Sequence, residues 1–188
     1  MKTVLFIPGF QESLDSRDYT AVLKAIEVKG YGVKFVSISW SRTTIADWVK
    51  EFGKTYKDYD TSQTVLAGFS YGAMTAFVAA AECLPAELWL FSLSPYFAED
   101  IPKLKTWWLS EIGKRRTEEF RKLSIQQLAS TISCPTHIFY GEKEGWPIVK
   151  DRAVETHGLI PLSTLTEVLG AGHDVADSNY IAAITEII

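Results

Sequence analysis

The sequence predicts an α/β protein: a doubly wound, mainly parallel six-stranded sheet with helices on both faces. Three observations point to it. Short β-rich apolar runs alternate with segments of helical spacing along the whole chain. Runs such as Val4-Leu5-Phe6-Ile7 are apolar on successive residues, as strands covered on both faces are. Gly or Pro punctuates most junctions between the two kinds of segment. At 188 residues, with 47% hydrophobic and 22% charged side chains, the chain reads as one globular domain, 1–188, large enough for a full core.

The first strand spans Lys2 to Ile7 and is stopped by Pro8-Gly9. A polar loop, Phe10 to Ser16, leads to a helix over Tyr19 to Lys29, with Tyr19, Val22, Leu23 and Ile26 at helical spacing and Gly30 as its stop. Val33 to Ile38 is the second strand, and Ser39-Trp40-Ser41-Arg42 its exit loop. Thr44 to Tyr56 is a helix whose apolar stripe is Ile45, Trp48, Val49 and Phe52. Gln63 to Ala67 is the third strand and Ala73 to Cys83 the helix after it. Glu87 to Leu93 is the fourth strand, ending at Ser94-Pro95.

A helical connection follows over 96–132, in pieces around Lys103 to Arg116 and Thr117 to Ala129. Thr136 to Tyr140 is the fifth strand, Val149 to Thr156 a helix closed by Gly158, and Ser163 to Leu169 the last strand. Asp174 to Ile188 closes the chain as a helix, with Asp174 as its N-cap. Crossovers between parallel strands are right-handed.

Charge and composition exclude several classes. A net charge of −4 argues against a nucleic-acid surface. No apolar run approaches the ~20 residues needed to span a bilayer, and Val4 to Ile7 is too short for a signal sequence. Cys83 and Cys134 lack C-x-x-C spacing and read as buried thiols rather than a bridge, which with the missing signal places the protein in the cytoplasm. No cluster has metal-ligand spacing, no phosphate-binding glycine motif is present, and no cofactor is expected. Lys114-Arg115-Arg116 reads as a solvated helix face.

The chemistry concentrates at strand exits, since ligands bind beyond the carboxyl ends of strands in such a sheet. Gly68-Phe69-Ser70-Tyr71-Gly72 follows the third strand and opens a helix, which is the setting of a nucleophile elbow. The glycines remove side chains where strand and helix pass closest. Gly141-Glu142-Lys143-Glu144 follows the fifth strand, and Gly170-Ala171-Gly172-His173 the sixth. Serine, carboxylate and histidine therefore occur in that order, each at a strand exit. Acyl transfer at a serine needs such a set: a base for its proton, an acid to orient the base, and donors for the oxyanion. His137, inside a strand, and His157, at a helix end, read as structural.

On these motifs the sequence resembles the α/β-hydrolase superfamily over nearly its whole length. The resemblance implies a short, six-stranded hydrolase fold, because the family's first two strands have no counterpart before Met1. It implies Ser70 as nucleophile, His173 as general base, and an orienting acid at Glu144, where Glu stands for the family's usual Asp. Glu142 and Asp151 remain alternatives for the acid. It implies an oxyanion hole from the backbone N–H groups of Phe10 and Tyr71, with Pro8 where the family commonly has His. The aromatic residues Trp40, Tyr96, Phe97 and Trp146 are expected at the rim of a substrate pocket. Trp107 and Trp108 either cap that pocket from the 96–132 connection or pack as core beneath it. The implied activity is hydrolysis of carboxylic esters of small or medium uncharged acyl groups. A thioesterase with the same triad and a non-catalytic binding protein of the same fold are the alternatives. The implied partner is a small ester or thioester, with no nucleic acid and no membrane; the sequence leaves the oligomeric state open.

Overall fold

The computed structural model describes residues 1–16 and 18–188. Six strands form one sheet: β1 (Thr3–Ile7), β2 (Gly32–Phe35), β3 (Thr64–Phe69), β4 (Glu87–Phe91), β5 (Thr136–Gly141) and β6 (Ser163–Val168). Their spatial order is β2-β1-β3-β4-β5-β6, and every neighbouring pair is parallel. The helices are α1 (Tyr19–Val28), α2 (Ile45–Tyr56), α3 (Tyr71–Cys83), α4 (Thr106–Ile112), α5 (Lys114–Phe120), α6 (Ile125–Thr131), α7 (Pro147–Leu159) and α8 (Ser178–Ile187). None of the helices among the described residues is long and apolar enough to cross a membrane.

Alternation along the strands divides the core in two. Val4, Phe6, Val65, Ala67, Trp89, Phe91 and Phe139 face α1 and α8, where Tyr19, Val22, Ile26, Tyr180 and Ile184 meet them. Leu5, Ile7, Leu66, Leu88, Leu90 and Ile138 face the other way, toward α2, α3 and the helices of the connection. Both faces are covered, which is why the inner strands read as continuous apolar runs. Helix α3 is buried from Gly72 to Ala80, and its small side chains let it lie close against the sheet.

Several boundaries differ from the sequence expectation, each for a local reason. β2 stops at Phe35 because its ladder partner β1 ends: the last bond is from Val36 N–H to the Phe6 carbonyl, after which Ile38 and Trp40 turn into the core. The 96–132 connection holds three short α-helices instead of two helical pieces, because Gly113, at φ 86°, breaks the run between Ile112 and Lys114. α7 begins at Pro147, whose missing N–H costs nothing at a first helical position, and continues through Gly158. α8 begins four residues later than expected: its N-cap is Asp177, which accepts from Asn179 N–H at 2.8 Å, while Asp174 accepts from Ala176 N–H in the turn before it.

The connection is tied down at two points. Arg116 is not a solvated cation: its guanidinium donates to the carbonyls of Thr43 at 3.0 Å and Trp40 at 2.9 Å and lies 4.7 Å from the centroid of the Phe10 ring. Asp100 and Arg152 form a buried ion pair, with the Arg152 Nε to Asp100 Oδ2 bond at 3.0 Å, joining the start of the connection to α7. Cys134 is buried, Cys83 partly so, and both are free thiols.

α3 starts against the end of β1 with no room between them for a side chain. A Cβ on Gly72 would sit 2.2 Å from the Ile7 carbonyl oxygen and 2.3 Å from that of Pro8. Backbone cannot yield there without parting helix from sheet, so Gly72→Ala is expected to destabilise the protein by about 3 kcal/mol or more. Urea unfolding of the variant measures this, and a loss below ~1 kcal/mol would show that α3 moves freely on the sheet.

Candidate active site

Ser70 lies between β3 and α3 at φ 56° and ψ −117°, a conformation costly for any residue with a side chain. Its N–H donates to the Phe91 carbonyl at 2.9 Å, and its own carbonyl accepts from Met74 at 3.1 Å in the first turn of α3. On the strand side of the turn, a Cβ on Gly68 would lie 2.3 Å from the Gly72 carbonyl group. Strand, serine and helix can fold back this sharply only with glycine at both flanks.

The exit loops of β5 and β6 are sewn together through backbone. Glu142 N–H donates to Val168 O at 2.9 Å and Lys143 N–H to Ala171 O at 2.8 Å. A Cβ on Gly141 would meet the Ala171 and Gly172 carbonyl oxygens at 2.5 Å. Glu142 directs its carboxylate to the Gly170 N–H at 2.8 Å and so braces the histidine loop from below. Asp151 is exposed on α7. Of the three candidate acids, Glu144 alone faces the imidazole: its Oε2 lies 2.7 Å from His173 Nδ1. His173 Nε2 in turn lies 3.0 Å from Ser70 Oγ. One tautomer satisfies both contacts, with Nδ1–H donating to Glu144 and Nε2 accepting from the serine hydroxyl. The Glu144 side chain is 2% exposed and that of His173 25%, so the acid is shut from water while the ring can meet a ligand.

Phe10 and Tyr71 flank the serine. Tyr71 opens α3, so its N–H has no acceptor within the helix. Phe10 follows Gly9, whose N–H is held by the Tyr19 hydroxyl and by Glu12, both at 3.1 Å. The Phe10 and Tyr71 rings pack with centroids 4.9 Å apart.

A cavity of about 250 Å³ opens over Ser70, lined among others by Phe10, Tyr71, Tyr96, Trp108, Trp146 and His173. Two residues expected at its rim, Trp40 and Phe97, lie elsewhere, and Trp107, expected either to cap the pocket or to pack as core, does neither here. Trp40 is buried against Phe10 and Trp48, because the chain turns inward after β2. Phe97 is fully buried between Phe77 and Arg152. Trp107 points outward from α4 and is 56% exposed. Its ring stacks on that of Trp108 with centroids 5.8 Å apart, and of the two only Trp108 borders this cavity.

Sequence reasoning passed over the exit of β4, which contributes two serines. Ser94 Oγ is 3.3 Å from Ser70 Oγ. Ser92, at φ 48°, donates to Glu144 Oε1 and is 2.7 Å from the Tyr180 hydroxyl. Ser92 has one proton and spends it on the carboxylate, so Tyr180 must be the donor to Ser92. Burial pushes the Tyr180 hydroxyl far above its ordinary pKa and keeps it a donor. The readable signal was position: Ser92 and Ser94 stand at the carboxyl end of a central strand.

No protein-family model matches the chain, and no curated protein matches it in sequence. Solved structures do match. The ferulic-acid complex of Est1E from Butyrivibrio proteoclasticus superposes with a TM-score of 0.81 over 99% of this chain and 87% of that one, at 14% identity. The esterase domain of a Rhodothermus marinus protein gives 0.72 over 99% and 84%, at 18% identity. The mouse alpha/beta hydrolase domain-containing protein 10 gives 0.73 over 97% and 86%, at 17% identity. The chain has the α/β-hydrolase fold. Within that hydrolase fold, the β3–α3 turn carries Ser70, and the exits of β5 and β6 carry Glu144 and His173.

Burial works to raise the pKa of Glu144, but hydrogen bonds from His173, Ser92 and the Gly141 N–H outweigh it and hold the carboxyl below its ordinary value. A carboxyl depressed on folding stabilises the protein above its unfolded-state pKa, and that contribution is lost as pH falls through the folded value. Ser92→Ala removes one donor, so Glu144 should titrate at higher pH than in the wild type. Carboxyl ¹³C NMR reads this directly; an unmoved titration would mean that Ser92 contributes nothing to holding the charge.

Proposed function

We propose that this protein is a serine hydrolase that cleaves carboxylic esters of small or medium acyl groups through an acyl-enzyme. The observation that carries this reading is the alignment of Ser70, His173 and Glu144, at 3.0 and 2.7 Å, beneath an open cavity. Support also comes from the fold, shared with a structure described as an esterase domain and with Est1E holding ferulic acid.

In this mechanism His173 Nε2 takes the Ser70 proton as Oγ attacks the ester carbonyl. Glu144 holds the ring in the required tautomer and stabilises the imidazolium that forms. The backbone N–H groups of Phe10 and Tyr71 receive the oxyanion, helped by the N-terminal dipole of α3. The tetrahedral intermediate collapses, His173 returns the proton to the leaving alcohol, and a water activated by the same ring releases the acid. The cavity of about 250 Å³ suits an acyl group of modest size, and its aromatic walls suit an uncharged one. The 96–132 connection serves as a partial cap through Tyr96 and Trp108, which are joined by a bond of 3.0 Å from the indole N–H to the phenol oxygen.

A fluorophosphonate probe should label Ser70, and Ser70→Ala should lose both labelling and ester hydrolysis; full activity in that variant would end the serine mechanism. Glu144→Gln should lower turnover by ~10⁴-fold, the loss typical when an orienting carboxylate is neutralised in a serine triad. Glu142→Gln and Asp151→Asn should stay within about tenfold of wild type, a barrier change of ~1.4 kcal/mol. Steady-state kinetics on a p-nitrophenyl acyl ester separates these outcomes.

A further inference from the structure

A second cavity, of about 430 Å³, adjoins the first and shares Trp108 and Trp146 with it as walls. Leu104, Trp107, Pro147 and Ile148 complete its apolar lining. Lys103, Lys105 and Asp151 also border it, all three exposed, so their charges stay in water while the walls are left for recognition. A continuous row of rings leads out to it from the imidazole. Trp146 lies 6.4 Å from His173, Trp108 5.1 Å from Trp146, and Trp107 is stacked 5.8 Å from Trp108. The row is partly fixed, because the Trp108 indole N–H is held by Tyr96. Yet Trp107 and Trp146 remain 56% and 44% exposed. Contiguous exposed aromatic surface beside a concave site marks a place where a ligand covers it.

Attack geometry decides which half of an ester would lie there. The carbonyl oxygen must face the Phe10 and Tyr71 amides, while the general acid His173 must reach the oxygen that departs. The leaving alcohol therefore goes out past His173, and Trp146 is the wall residue that meets His173 and divides the two cavities. Around the oxyanion donors, Phe10, Tyr71 and Tyr96 crowd with successive centroids 4.9 Å apart. That side leaves room for a compact acyl group.

We propose that the outer cavity is a leaving-group subsite, and that the substrates are esters of a small acid with an extended, uncharged, ring-bearing alcohol. The proposal rests on the hydrolase reading above. The acyl–oxygen bond breaks, the alcohol oxygen takes the proton that His173 received from Ser70, and the alcohol leaves over Trp146. The acyl group stays on Ser70 until water replaces it.

Ethyl acetate and 4-phenylbutyl acetate share an acyl group and have alcohols of similar acidity, so their kcat/KM ratio reports leaving-group binding. Trp107→Ala should lower the preference for the phenylbutyl ester about tenfold, within the range expected when an apolar contact is removed. The ratio of ethyl 4-phenylbutyrate to ethyl acetate, which varies the acyl side, should not follow it. A leaving-group ratio within about twofold of wild type, or a matching change in the acyl ratio, would overturn the proposal. Binding is read without turnover in Ser70→Ala protein titrated with 4-phenylbutan-1-ol. The indole N–H signals of Trp107, Trp108 and Trp146 should shift in ¹⁵N NMR, while those of the buried Trp40, Trp48 and Trp89 hold still. Unmoved signals overturn the subsite however active the enzyme is. Shifted signals in a protein that hydrolyses no ester overturn the leaving-group assignment through the hydrolase reading itself, so the two failures are told apart.

Discussion

Ser70 is held at φ 56° and ψ −117°, a backbone conformation that costs a residue bearing a side chain about 1–3 kcal/mol. It persists because its surroundings leave no alternative. Gly68 and Gly72 have backbone atoms where side chains would be, and Phe91 on the neighbouring strand holds the Ser70 N–H. Relaxing the serine would mean lifting α3 off the end of β1, where the Ile7 and Pro8 carbonyls leave no room for a Cβ on Gly72, and α3 is buried from Gly72 to Ala80. The strain is therefore secured by the core of the molecule and not by the loops around the site. This lets a hydroxyl project above the sheet edge with its direction fixed in advance of any ligand, which is the preorganisation that acyl transfer needs.

The partners of that hydroxyl are positioned by a different device. Glu144 and His173 stand on two loops joined backbone to backbone, so their 2.7 Å contact does not rely on either side chain finding the other. Behind Glu144, the chain of donors from Tyr180 through Ser92 supplies the hydrogen bonds that a shielded carboxylate would otherwise take from water. Glu142 serves the same assembly mechanically, through the Gly170 amide.

Much of this was legible in the sequence, and the part that was not has a physical reason. Strand and helix alternation is written in local periodicity, so all six strands and their order along the chain could be read; boundaries differ where a partner ends, as for β2 beside the end of β1, or where a local residue intervenes, as Gly113 does in the connection. Glycines mark the loops of Ser70 and His173, Glu144 stands out from Glu142 and Asp151 only through the family resemblance, and the structure brings the three side chains together. Aromatic residues carry no such mark. Trp40 and Phe97 follow strands, where a ring can turn toward the ligand or toward the core, and both turned to the core. Arg116 looked like one charge in a solvated run, yet its partners are carbonyls some seventy residues earlier. Ser92 and Tyr180 are likewise 88 residues apart, and nothing local to either announces the other.

That long separation has a consequence for a chain made from its N-terminus onward. β1, β2, β3 and α3 can pair and set the serine turn from the first half of the sequence alone. The proposed base and its carboxylate come later, and Tyr180, the buried end of the hydrogen-bond chain, later still on α8. A growing chain thus carries the serine turn before it carries the proposed base. Under the proposed mechanism, Ser70 gains its carboxylate and its base only once the fifth and sixth strands have been added.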